Sequence, residues 1–190
     1  MRNEDGNTDR LLAHYRRFLG EQHRVYDGEV EQEPPRPYDL VEYRLPEPGV
    51  SAWITNGLRM QPISTLRAQE LFCFLRDSQR VTAGTLTAMA ADAVLGQMTG
   101  LEYDDVVKHD SPLIEGTRIH GVVAYPNPVF GTDFDLVDDR VSRLQLQIIT
   151  LIPVTPTEIE FVAEEGADAL WDVFRDNDID ILDINRAPAL

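Results

Sequence analysis

Apolar positions along the chain repeat with two periods, and the alternation between them sets out the elements. From Thr8 to about Tyr26, Leu11, Leu12, Tyr15, Phe18, Leu19 and Val25 recur at spacings of three and four, which predicts one amphipathic helix. Glu31 to Pro37 is acidic and rich in proline, a residue without the donor that helix and sheet interiors require, and predicts a connector. Tyr38 to Leu45 and Val50 to Asn56, separated by Pro46-Glu47-Pro48-Gly49, predict a hairpin. Asn56-Gly57 supplies the positive φ of a tight turn or bulge. The short run Leu71-Phe72-Cys73-Phe74-Leu75 fits a strand.

In the second half, Thr85 to Met98 is alanine-rich and free of a β-branched run, so it predicts a second helix that Gly100 stops. Thr117 to Tyr125 predicts a strand closed by Pro126-Asn127-Pro128. Leu144 to Ile152 begins by alternating and then runs apolar, as a central strand buried on both faces does. Thr155-Pro156-Thr157-Glu158 combines a hydroxyl N-cap, proline at the first helical position and a glutamate able to satisfy free backbone donors. The helix it starts is broken by Gly166, and another follows to about Asn177. The strands are not joined by regular βαβ units, which places the chain in the α+β class, a mixed β-sheet flanked by helices.

A length of 190 residues, 43% apolar and 26% charged, fits a single domain over 1–190, divided into an N-terminal helix and connector (1–36) and a main body (37–190). Charge changes the picture more than composition does. Thirty-three acidic residues against 17 basic ones give a net charge of −16, a field that repels nucleic acid and anionic membrane surfaces. The stretch from Thr155 to Leu190 holds ten carboxylates and two arginines, half of that net charge. A solvated acidic helix face that keeps the protein soluble accounts for it, and so does a landing surface for a basic protein. No apolar leader follows the polar N-terminus, and no run approaches the roughly 18 apolar residues of a membrane span, so a cytoplasmic protein is expected. The one cysteine, Cys73, sits among large apolar neighbours and is expected in the core.

The search for chemistry excludes the nucleophile elbow, the P-loop, the dinucleotide fingerprint and the zinc-helix motif. His14 and His23, nine residues apart on the first expected helix, point to opposite sides of it. His109 and His120 lie around an expected loop and strand and are the only pair able to share a ligand or serve as a base. The adjacent carboxylates Asp104-Asp105, Asp138-Asp139 and Glu164-Glu165 point in different directions on any regular element and fit solvated charges better than acid/base dyads. No catalytic residue, cofactor or metal is expected.

Four segments, in order, resemble suppressor-of-fused domains. Ser51 to Met60 is similar to that family's strand-and-turn segment, and Arg67-Ala68-Gln69-Glu70-Leu71-Phe72 to the strand after it. Ile149 to Glu158 resembles its strand-to-helix junction, and Asp180 to Arg186 its "aspartate, asparagine-arginine" ending. The resemblance spans most of 37–188 and is loose from about Ser78 to Val141. It implies a sandwich-like mixed sheet acting as a protein-binding module without catalytic residues. A stand-alone domain of this size, lacking the C-terminal domain of the animal proteins, is similar to the bacterial members, often proposed to be immunity proteins that neutralise polymorphic toxins. The leading expectation is therefore a non-catalytic immunity protein whose Glu164, Glu165, Asp168, Asp172 and Asp176 dock on a basic toxin domain. Arg186 and Asp180 are expected to tie the tail down by charge-assisted hydrogen bonds. The alternatives are a regulatory scaffold that sequesters an endogenous protein or peptide as an added strand, and a hydrolase or isomerase using His109 and His120. Replacing both histidines by alanine separates the last from the others: partner binding measured by co-purification is expected to survive, and its loss with the fold intact would revive the enzyme.

Overall fold

The structure, a computed structural model, describes residues 4–45, 49–139 and 144–190. Its first helix, α1 (Glu4–Leu19), is shorter than the apolar spacing implies. Gly20, at φ 81°, donates its N–H to Arg16 and lets the chain leave the helix, after which Gln22–Tyr26 forms strand β1. The helix expected to run to Tyr26 is thus corrected: Val25 belongs to an edge strand, paired with Val41, and His23 is not a helical residue. A helical and an edge-strand apolar position happened to fall in phase.

β1 pairs with β2 (Asp39–Arg44), and β2 with β3 (Val50–Asn56) in the expected hairpin register, Asp39 opposite Asn56 through Arg44 opposite Ser51. Three residues of its turn, 46–48, lie outside the described residues. β4 (Ala68–Arg76) runs antiparallel to β3 and parallel to β8 (Leu144–Val154), which in turn lies antiparallel to β6 (Gly121–Tyr125). β5 (Val106–Lys108) closes the far end, and β7 (Leu136–Asp139) pairs with the first half of β8. The order β1-β2-β3-β4-β8-β6-β5 makes a mixed eight-stranded sheet with β8 inside it, as its alternating and then largely apolar sequence predicts.

Alternate residues of the inner strands serve two cores. On one face Val41, Tyr43, Phe72, Phe74, Ile148 and Ile152 meet α1, the short α3 (Thr132–Asp135), α4 (Pro156–Glu165) and α5 (Ala167–Asp176). On the other, Leu40, Trp53, Leu71, Cys73, Leu75, Ile149 and Leu151 meet α2 (Arg80–Gln97). α2 comes close because its buried side is mostly alanine and glycine; a Cβ on Gly84 would lie 2.9 Å from the Trp53 ring. α2 departs from expectation at both ends. It begins five residues before Thr85, on a turn of polar residues and an exposed Val81 that carry no periodicity. Met98, not Gly100, caps it in the left-handed region. Gly100 is needed instead because a side chain there would strike Gln69, whose amide bonds both the N–H and the carbonyl of Leu101. The strand expected from Thr117 narrows to β6, since Thr117 closes a turn onto Ile114.

Buried carboxylates make the fold respond to pH, burial raising both Glu70 and Asp135. Asp135 accepts the Asn127 N–H on both oxygens at 3.1 Å, yet burial pushes its carboxyl up to about 6, the hydrogen bond offsetting only part of the effect. The folded protein therefore holds this proton more tightly than the unfolded chain, and the group's contribution to stability rises as pH falls from about 6 to about 4. Asp183 and Glu158, whose carboxyls are held below their usual range, act in the opposite sense at lower pH. Denaturation at pH 7 and pH 5 is expected to show a gain of about 1–3 kcal/mol at the lower pH that shrinks in Asp135→Asn; an unchanged slope in the variant would refute the assignment.

Candidate partner-binding surface

The segments that carry the family likeness converge on buried carboxylates. Thr155 caps α4, and Glu158 returns to accept the Thr155 N–H at 2.8 Å. Glu158 is fully buried and takes Arg186 in a bidentate pair, 2.6 and 2.8 Å, together with the Ala189 N–H at 2.9 Å. Arg186 also donates to the Pro153 carbonyl and lies 4.8 Å from the Phe174 ring centroid. Burial works to raise the Glu158 carboxyl, but Arg186 and the two backbone donors outweigh it and keep it below its usual range. The strand-to-helix junction and the asparagine-arginine ending, separate in sequence, are one hydrogen-bonded unit. Asp180 binds Arg76, and Asp183 binds Gln79, so Arg186 and Asp180 hold the tail as expected.

The other two segments make a second hub. Glu70 on β4 accepts from Thr55 Oγ1 at 2.5 Å, Gly57 N at 2.9 Å and Arg59 Nη1 at 2.7 Å. Gly57, at φ 117°, makes the turn that brings these donors round. These residues are committed to the architecture.

Of the five carboxylates singled out for a partner, all are exposed. Asp172 and Asp176 share Arg175, at 2.8 and 3.3 Å, and Asp168 accepts the Tyr125 hydroxyl at 2.9 Å. Among the described residues, Glu164 and Glu165, at the end of α4, have no hydrogen-bond or ion-pair partner. The structure adds members that sequence reasoning missed. Asp104, in a left-handed conformation at φ 75°, accepts the first N–H of α5 from Ala167, and Tyr125 on β6 stacks on Trp171 of α5 at 5.5 Å. Burial raises the Tyr125 hydroxyl above its ordinary range, and the hydrogen bond to Asp168 and the charges of Asp168, Asp172 and Asp104 raise it further. Asp104-Asp105 had shown only as a pair of loop charges; nothing local in the sequence announces that a loop some 60 residues upstream joins α5.

His109 and His120 do meet, but through the backbone, His109 N to His120 O at 2.9 Å, while the His109 ring contacts Ser111. His14 bonds the Phe134 carbonyl from α1, and His23 contacts Arg44 from β1. Among the described residues no three of His, Cys, Asp and Glu stand close enough to hold a metal ion. Cys73 is fully buried, which pushes its thiol up to about 12 and leaves it unreactive at neutral pH. Among the same residues no helix is long and apolar enough to cross a membrane.

A mixed eight-stranded sheet flanked by helices in this order is a fold already seen in solved proteins. The chain belongs to the suppressor of fused family, Suppressor of fused protein (SUFU), whose profile matches residues 34–187. A SUFU homolog from Neisseria gonorrhoeae superposes with a TM-score of 0.72 at 18% identity, covering 96% of each chain. The Sufu–Fu complex superposes with a TM-score of 0.67 at 13% identity over 97% of this chain and 91% of the other. Drosophila Suppressor of Fused gives a TM-score of 0.66 at 14% identity, over 95% of this chain and 50% of its own. No curated protein matches the sequence.

The Glu158 hub yields a double-mutant test. Removing Glu158 alone strands a buried guanidinium and is expected to cost about 3–5 kcal/mol, whereas Glu158→Leu with Arg186→Met is expected to recover the part due to the stranded charge, the Thr155 and Ala189 N–H groups losing their acceptor in both. Urea denaturation of the two single variants and the double measures this, and additive losses would show that the pair does not act as a unit.

Proposed function

We propose that this chain is a non-catalytic protein-binding module and, more specifically, an immunity protein that neutralises a basic toxin domain in the cytoplasm by direct binding. The observation that carries the proposal is the division of its charges. The buried carboxylates Glu70 and Glu158 are saturated by internal donors, while Glu164, Glu165, Asp168, Asp172 and Asp176 face outward from two consecutive helices, two of them without a partner among the described residues. A net charge of −16 adds a long-range field that steers a basic partner toward that face and falls with salt. The likeness to a fold solved as the Sufu–Fu complex supports the protein-binding part of the reading. In this proposal 1–190 acts as one unit, since Leu11, Tyr15 and Leu19 of the N-terminal helix share a core with β2, β4 and β8.

Sequestration of an endogenous peptide by strand addition is the second reading, favoured by β1 and β5 standing at the two ends of the sheet order. Pull-down with tagged protein from its native host, repeated with the five carboxylates changed to lysine, tests the choice. The expected outcome is a stoichiometric basic partner that the charge-reversed protein loses. A partner retained by that variant would move the surface elsewhere, and no partner at all for a correctly folded protein would overturn the proposal.

A further inference from the structure

The two faces of the sheet are unequally covered. Among the described residues four α-helices pack on one, but a single α-helix, α2, packs on the other beside the short turn at Leu58, and between α2 and the 27–37 segment a cleft of about 330 Å³ remains open. Tyr26, Leu40 and Trp53 form its floor, Val81 and Met89 of α2 one wall, and Glu31, Glu33 and Arg36 the other. Arg36 is fixed in place by Asp92 of α2 in a bidentate pair at 2.8 Å, which ties the segment to the helix.

The floor is held and yet unsatisfied. Gly84 admits the Trp53 ring against α2, and Tyr26 lies 4.9 Å from it on the other strand. Opposite Trp53 in the β2–β3 register stands Glu42, 2% exposed. One of its oxygens takes the Tyr26 hydroxyl at 3.3 Å; the other has no hydrogen bond, and the Arg80 Nε that comes nearest in an ion pair is 3.9 Å away. The indole N–H of Trp53 is likewise buried without an acceptor. A buried carboxylate oxygen and a buried donor without partners are costly, and they sit here under an aromatic floor with an acidic rim.

The chemistry that answers this set is a flat cation on a peptide. A guanidinium stacks on aromatic faces, sheds water more readily than an ammonium and offers donors to several carboxylates, while the peptide main chain brings the acceptor that an arginine side chain lacks. The protein already makes such a contact beside the cleft: the Arg24 guanidinium lies 4.3 Å from the Tyr26 centroid and 3.5 Å from Glu31. We propose that the cleft between α2 and the 27–37 segment receives an arginine side chain from an extended segment of a basic partner protein, stacked on the aromatic floor at Trp53 and paired with Glu31 and Glu33. The proposal rests on the protein-binding reading for its biological sense, but it concerns the face of the sheet opposite α4 and α5.

The test uses the full chain and the indole N–H resonances of its two tryptophans in a ¹H–¹⁵N spectrum. N-acetyl-arginine amide, N-acetyl-lysine amide and N-acetyl-norleucine amide are titrated in turn. The arginine compound is expected to move the Trp53 resonance saturably, the lysine compound more weakly and the norleucine compound not at all. Glu31→Gln with Glu33→Gln, both outside the core, is expected to weaken the arginine response about three- to tenfold. The five-lysine variant of α4 and α5 is expected to leave that response intact, so the failure of either surface can be told from failure of the other. An equal response to norleucine amide would make the cleft a plain apolar pocket, and a shift confined to Trp171, or none at millimolar ligand, would overturn the proposal.

Discussion

Everything in this protein is arranged around the need to bury β8 on both faces. Its alternating residues Ile148 and Ile152 on one side, Ile149 and Leu151 on the other, must each meet a hydrophobic layer, so a single-sided sheet cannot hold it. That demand explains why helices lie on both faces and why β4, whose Phe72 and Phe74 alternate with Leu71, Cys73 and Leu75, is its neighbour. The inequality of the two helical layers follows as well. An alanine-rich helix can approach the sheet closely enough for α2 to seal the centre of its face alone, but it is too narrow to reach the β1 edge, where the cleft opens.

Burial of charge obeys a second rule. Carboxylates enter the interior only at places where backbone donors are already left over: Glu158 at the first turn of α4 and Glu70 beneath the Gly57 turn. Each then recruits an arginine, Arg186 or Arg59, and so joins segments that sequence separates. Glu42 breaks the rule, since it lies mid-strand with few donors in reach, and the break is what marks its neighbourhood as a place for recognition.

These rules also account for what could be read in advance. Strong local signals survived: the hairpin of β2 and β3, the alternating and then largely apolar β8 and the Thr155 cap with Pro156 all stand where the residues place them. Failures came where local pattern was ambiguous or silent. Val25 continued a helical spacing by coincidence, and the first turn of α2 shows no apolar period because its covered positions are the small Ala83 and Gly84 while Val81 is exposed. The surface was legible as charge but not as geometry. Glu164 and Asp168 could be named from composition, whereas Asp104, Tyr125 and Trp171 join them only because β6 and α5 meet in three dimensions. The cleft was invisible in the sequence, since its floor and walls come from β1, β2, β3, α2 and a connector.

The parallel pairing of β4 with β8 carries a kinetic consequence. The four strands from β1 to β4 follow one another as antiparallel neighbours and can zip up by short loop closures, but β8 reaches β4 only after α2, β5, β6 and β7 have been threaded between them. Until then the inner edge of β4 is an open apolar strand, and Glu158 still waits for Arg186, 28 residues further along the chain. The chain therefore exposes its stickiest edge until β8 has been made and docked, so the ordering of its segments, and not its final stability, sets how long that edge depends on protection from aggregation.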